Sequence, residues 1–138
     1  MATKYSAFGT LFKRGAATIA QVSNISGPGL SLDTQDVTSH DSTGAWEEVV
    51  PTILRSGEVK LDLVYDPNEA THKYAAGGLL SDMVLRTATA YSLVFPSVAP
   101  VTWTFNAFVT GFEPSAPHDG ALTASATLKI TGQPTVLA

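Results

Sequence analysis

The sequence predicts a mainly β fold, an antiparallel β-sandwich of about six to eight strands with one flanking α-helix, and three observations carry that prediction. Several segments alternate apolar and polar residues with the period of two that sends successive side chains to opposite faces of a sheet. Breaks rich in Gly, Pro, Asn and Asp separate those segments. One stretch alone, about residues 67–86, opens on helix-capping residues and continues at helical spacing. At 138 residues the chain reads as a single domain, 1–138, able to fold on a hydrophobic core without staples.

In chain order, Met1 to Ala17 reads as an N-terminal arm, within which Thr10 to Lys13 offers a short additional strand. Thr18 to Ile25 and Leu30 to Thr38 are strand candidates divided by Gly27-Pro28-Gly29, a turn sequence. Ser39 to Ser56 shows no sustained period, yet it carries Trp46, Val49, Val50, Ile53 and Leu54 beside Glu47, Glu48 and Arg55. A connection that long and that apolar is expected to be a partner surface, the alternative being a lid folded over its own sheet.

Gly57 to Tyr65 alternates strictly, with Val59, Leu61, Leu63 and Tyr65 against Glu58, Lys60 and Asp62, so its second face should meet water, ion partners or a lumen. Asp66-Pro67-Asn68-Glu69 supplies an N-cap acid, a proline at the first helical position and an acid at the third. Ala70, Tyr74, Leu79, Leu80, Met83 and Val84 continue the helix. Gly77-Gly78 interrupts it, at about 1 kcal/mol per glycine, so the helix there bends, breaks or packs against backbone. Thr89 to Phe95 is a strand stopped by Pro96. Val101 to Phe112 points Val101, Trp103, Phe105, Ala107 and Val109 one way and Thr102, Thr104, Asn106 and Thr110 the other; Leu122 to Ile130 repeats the pattern against Thr123 to Thr131. Pro114 to Gly120 joins this closing pair as a loop.

Composition narrows the function. Charged residues make up 14% of the chain, against about 25% in ordinary soluble domains. A compact monomer of this size exposes roughly 6,800 Å², one charge per about 340 Å² instead of about 200 Å². Such a surface suits a Thr-rich β domain that stands alone or, more simply, one covered by copies of itself. Twelve acids against eight bases, net −4, oppose a role in gripping nucleic acid through its phosphates. The absence of cysteine removes disulfides, thiolate zinc and thiol catalysis. No apolar run approaches the ~18 residues of a membrane helix and Met1 to Ser6 lacks a signal-peptide layout, so the chain is expected to be soluble and not exported.

Catalytic chemistry finds no footing. His40-Asp41 and His118-Asp119 lack further ligands and lie in turn sequence; no nucleophile elbow or phosphate loop occurs. Glu58 and Asp62 sit four apart on a strand, about 13 Å, wider than glycosidase pairs at about 5 to 9.5 Å. Asn24-Ile25-Ser26 is a chance sequon, and Trp103 belongs to an apolar face rather than to a sugar platform. No enzyme, metal or cofactor is expected.

The run DVTSHDSTGAWEEVVPTILRSGEVKLDLVYDP from Asp36, the helix after it, and FNAFVTGFEPSAPHDGALTASATLKITGQP from Phe105 resemble the major tail tube proteins of bacteriophages with long, non-contractile tails. The likeness spans roughly Ile19 to Pro134. Its most specific parts are the strand-loop-strand ending at Asp66-Pro67, then Gly111-Phe112-Glu113, His118-Asp119-Gly120 and Ile130-Thr131-Gly132-Gln133-Pro134. It implies a structural virion protein whose hexameric rings share a continuous inner β-barrel and stack into a helical tail tube that conducts DNA during ejection.

Residues 39–56 would then be the long inter-ring loop, with Trp46, Glu47, Glu48, Val49, Val50, Ile53, Leu54 and Arg55 at the contact. The arm 1–17 and the C-terminal tail would contribute to stacking. Glu58 and Asp62, then Asp33 and Asp36, are the candidate lumen acids, which would let DNA slide without specific binding. Partners would be other copies, tape-measure, tail-tip and tail-terminator proteins, with no membrane insertion, and assembly would take place in the host cytoplasm. The alternative is a stand-alone Ig-like or carbohydrate-binding β-sandwich on a virion surface.

Overall fold

The computed structural model describes residues 2–75 and 77–136, and within them the alternating segments form one antiparallel sheet. Its strands are β1 (Leu11–Arg14), β2 (Ala17–Thr18), β3 (Val22–Ser26), β6 (Glu58–Val64), β7 (Thr89–Phe95), β8 (Val101–Ser115) and β9 (Thr123–Val136), in the order β2-β1-β7-β8-β9-β6-β3. The sheet curls until it is nearly closed, and its inner face is the core. Val59, Leu61 and Leu63 of β6 meet Leu128, Ala126 and Ala124 of β9 across the ladder, all buried, while Glu58, Lys60 and Asp62 face outward. Phe12, Tyr91 and Phe105 stack behind them. The expected mainly β fold with one short helix is present, and its sandwich takes the form of a seven-stranded sheet curled until it is nearly closed.

Strict alternation fails usefully in β8. A register shift between Val109 and Gly111 returns Phe112 to the core side, where it meets Tyr65 edge-on at 5.3 Å. A second irregularity, between Thr104 and Asn106, accommodates Gly132-Gln133-Pro134 as extra residues of β9.

Two sequence expectations are corrected, those for the helix and for the long loop. The helix expected over 67–86 is only α1, Leu79–Val84. Asp66 does cap a turn, its Oδ1 accepting from the Asn68 N–H at 2.9 Å, but the chain then coils tightly. There His72 is fully buried, its Nε2 2.7 Å from the Ala20 carbonyl oxygen, which ties this turn to the β2–β3 connection. Gly77 takes a φ of +76°, and a Cβ on Gly78 would lie 2.6 Å from the Thr71 carbonyl carbon, so the two glycines end the coil and restart the chain as α1. Within the expected N-terminal arm, the short strand expected over Thr10 to Lys13 is present as Leu11–Arg14, held in the sheet by the core residue Phe12. Finally, the long loop is half strand: β4 (Ser31–Asp36) and β5 (Val49–Arg55) pair with each other as a separate two-stranded ribbon, joined through a 3-10 turn at Thr43–Ala45.

Candidate functional site: the projecting hairpin and the polar sheet face

The hairpin begins where two backbones cross too closely for side chains. A Cβ on Gly57 would sit 2.6 Å from the Gly29 carbonyl oxygen, and both Gly27 and Gly57 hold positive φ. Beyond this root every residue of β5 is exposed. Trp46 is 75% and Leu54 80% exposed, with Val49, Val50 and Ile53 also open. Glu47 and Glu48 are exposed beside Trp46.

Local bonds shape the ribbon without burying it. The Asp36 carboxylate accepts from the Thr38 N–H at 2.8 Å, the Glu48 N–H donates to the Thr38 hydroxyl at 2.9 Å, and Arg55 Nε donates to Asp33 Oδ2 at 2.7 Å. That last pair is more than 40% exposed on both sides, so it contributes only a few tenths of a kcal/mol, up to about 1. What it does is hold β4 and β5 in register near their root.

The candidate lumen acids do not form one group. Asp33 and Asp36 lie on the hairpin; Glu58 and Asp62 lie on the outer face of the main sheet. There Asp62 accepts from Ser125 at 3.0 Å and Asn24 at 3.4 Å, and the register continues the row to Glu113. Glu58 stands opposite Lys129, with Lys60 between the two acids. This face is polar and nearly charge-balanced, not an acidic row. Glu113 is the acid that sequence reading missed, since only the bulge at Gly111 turns it outward.

A buried charge cluster also escaped the sequence. Asp82 of α1, 2% exposed, receives a two-pronged bond from Arg14, Nε at 2.7 Å and Nη2 at 2.8 Å, and a third bond from the Tyr91 hydroxyl. Burial pushes its carboxyl up, but the Arg14 and Tyr91 bonds outweigh that and hold it below the ordinary carboxylate range. Burial and then the Asp82 carboxylate push the Tyr91 hydroxyl well above its ordinary value. No local signal announces a contact between residues 68 apart in sequence. The cluster clamps α1 to β1 and β7; among the described residues no set of three His, Asp or Glu gathers to hold a metal.

The molecule is a wrapped β-sheet from which an exposed apolar ribbon projects. The family model of the lambda phage tail tube protein, TTP, matches residues 4–137. The chain belongs to that family, and it is a structural tail tube protein of a virion. As a tube subunit it associates with copies of itself and meets other components of the tail. No curated protein matches the sequence. Among solved structures it is similar to a chain of the virion of a native gene transfer agent particle, at 16% identity and TM-score 0.77 over 98% of this chain and 100% of that one. It is similar to a chain from the tail of an empty gene transfer agent particle computed with C6 symmetry, at 17% identity and TM-score 0.74, again over 98% and 100%. A chain of the PVC extracellular contractile injection system, from its sheath/tube terminator in the extended state, matches at 16% identity and TM-score 0.75 over 99% of each.

Proposed function

We propose that six copies close into a ring around a lumen, that rings stack through the hairpin, and that DNA passes along the lumen without specific binding. The observation that carries this reading is the hairpin itself. A ribbon that projects with Trp46, Ile53 and Leu54 in water gains free energy when another copy covers it, at about 25 cal/mol per Å² of apolar area. The six-fold number is motivated by the C6 symmetry with which the similar gene transfer agent tail was computed. Continuous pairing through neighbouring copies would also remove the open edges of the sheet, which otherwise invite disordered aggregation.

The residues at the contact are Trp46, Glu47, Glu48, Val49, Val50, Ile53, Leu54 and Arg55. The lumen reading keeps Glu58 and Asp62 as first candidates and Asp33 and Asp36 as second; repulsion there keeps phosphates from adhering. Tape-measure, tail-tip and tail-terminator proteins are the tail components that would start, measure and stop the tube, in the host cytoplasm before release. Negative-stain electron microscopy of Trp46→Ala, and of a variant lacking Thr43 to Leu54, tests the stacking role: both are expected to give folded subunits and no long tubes. Wild-type tubes from either would sink the assignment.

A further inference from the structure

The curled sheet has two edges, β2 at one end of its strand order and β3 at the other, and the chain passes between them through Ile19, Ala20 and Gln21 alone. A link that short spans at most about 14 Å, so the end of β2 and the start of β3 stand close. The link is also pinned: the Ala20 N–H donates to Thr71 Oγ1 at 3.1 Å, the Ala20 carbonyl oxygen lies 2.7 Å from His72 Nε2, and Ile19 is buried. Past it a cleft of about 920 Å³ opens between Tyr5 to Thr10 of the arm, Val22 to Ile25 of β3 and the β7–β8 turn, where Phe95 meets Trp103 edge-on at 5.3 Å. Among the described residues β3 pairs with β6 alone, so its other edge has no strand beside it.

The arm stands at this cleft without entering it. Residues 2–9 are all exposed and belong to no strand. The hydrogen bonds they make among the described residues are local: the Phe8 N–H donates to the Ser6 hydroxyl at 3.2 Å, and Thr10 turns back on the Ala7 carbonyl through its N–H at 3.2 Å and its hydroxyl at 2.7 Å. Phe8 is 93% exposed beside an apolar cleft, although burying an aromatic ring is strongly favourable. Gly9 separates the arm from β1, at a φ of +98° and next to Pro96. Glycine takes either sign of φ, so rotation there redirects the arm while Leu11 to Arg14 stay in the sheet.

Reach and tethering argue that this arm is the occupant. Residues 2–8 extend to about 23 Å and the five residues of β3 to about 17 Å. A segment anchored at the cleft meets it at an effective concentration of about a millimolar, ahead of any second copy in dilute solution.

We propose that the arm is a strap: turning at Gly9, it lays Lys4 to Phe8 along the bare edge of β3 and seats Phe8 beside Phe95, Trp103 and Ile25. An edge occupied from within the subunit is closed to a neighbour, so the strap holds free subunits out of assembly until a growing ring displaces it. The proposal rests on lateral pairing through the sheet edges and adds the element that withholds one of them.

The cysteine-free chain allows the strap to be trapped. Ser6→Cys with Ser23→Cys, both at the cleft, is expected on mild oxidation of the dilute subunit to crosslink within one chain, seen as a faster-migrating monomer without free thiols. That locked subunit is expected to lose sedimentable tubes and to regain them on reduction. No crosslink, or crosslinks only between chains, overturns the strap and leaves lateral pairing standing. A crosslink within the chain with wild-type tube yield overturns the proposal together with lateral pairing through β3. Deletion of Ala2 to Phe8, which lie outside the core, gives a second reading. With about nine-tenths of free subunits strapped, the concentration at which unseeded tubes appear is expected to fall about tenfold. An unchanged or raised threshold overturns the strap and makes the arm a contact within the tube.

Discussion

Asp82 is held by two partners from elsewhere in the chain, and the asymmetry of their exposure sets what each substitution does. The Arg14 side chain is one-third exposed and can turn to water, but Asp82 cannot. Arg14→Met should therefore strand a buried carboxylate and cost about 3 kcal/mol or more, and Asp82→Asn, which keeps a polar group for Tyr91 and frees Arg14 to solvent, should cost less. Urea titration of both variants checks the order. Because the folded state lowers the Asp82 pKa, its stabilisation is present above the unfolded value, about 4, and disappears as pH falls through the folded one. Because it raises that of Tyr91, the contribution of that hydroxyl is full below about pH 10 and is lost as pH rises further. The stability gap between wild type and Arg14→Met is accordingly expected to be widest near neutrality and to shrink in acid. A gap that stayed constant down to pH 2 would mean that the carboxylate charge is not what Arg14 serves.

At the scale of elements, the hairpin and the coil before α1 were the segments least legible in sequence, for opposite reasons. Period-two patterning records which face of a strand meets a core, and β5 has no such face: all seven of its residues are exposed, so Val49 to Arg55 carries a strand without an alternating signature. Pro51 is tolerated there because the ribbon has only edges. The stretch from Pro67 to Ala75 has helix-forming composition and a working cap, but the buried His72 bonds and the Gly77-Gly78 crossing outweigh propensity terms of under about 1 kcal/mol per residue. By contrast, β6, β7, β8 and β9 were readable because each has one wet face and one dry one. The hairpin root offers a separate test. Gly57→Ala meets the Gly29 carbonyl and must adopt a strained φ, so it is expected to destabilise the fold by about 1–3 kcal/mol and to misdirect the hairpin. Tube length should fall further than the melting temperature of the subunit predicts; full-length tubes would show that the root does not aim the contact.

For the whole molecule, placement of charge matters more than its total. The outer face with Glu58, Asp62 and Glu113 also presents Lys60 and Lys129, and the net −4 lies on residues 31–55. If DNA passes over the sheet face, Glu58→Lys with Asp62→Lys converts a nearly balanced surface to a basic one, and tubes built from it are expected to retain DNA with a steep salt dependence. Retention equal to wild type at low salt would remove the electrostatic part of the lumen reading and leave the tube intact. The exposed area, 9073 Å² against roughly 6,800 Å² for a compact monomer, is large because a fully exposed ribbon projects from the sheet.

The sequence by itself determined the β class, the order and inward faces of the long strands, the apolar character of Trp46 to Leu54 and the tail tube resemblance. All of these rest on local periodicity or on residue order, which a linear chain displays directly. Tertiary structure alone decided that the sheet curls until it is nearly closed, that Asp82 finds Arg14 and Tyr91, and that the coil stops at Gly77. Those depend on segments distant in sequence meeting in space, where single contacts of a few kcal/mol override local preferences that are several times weaker.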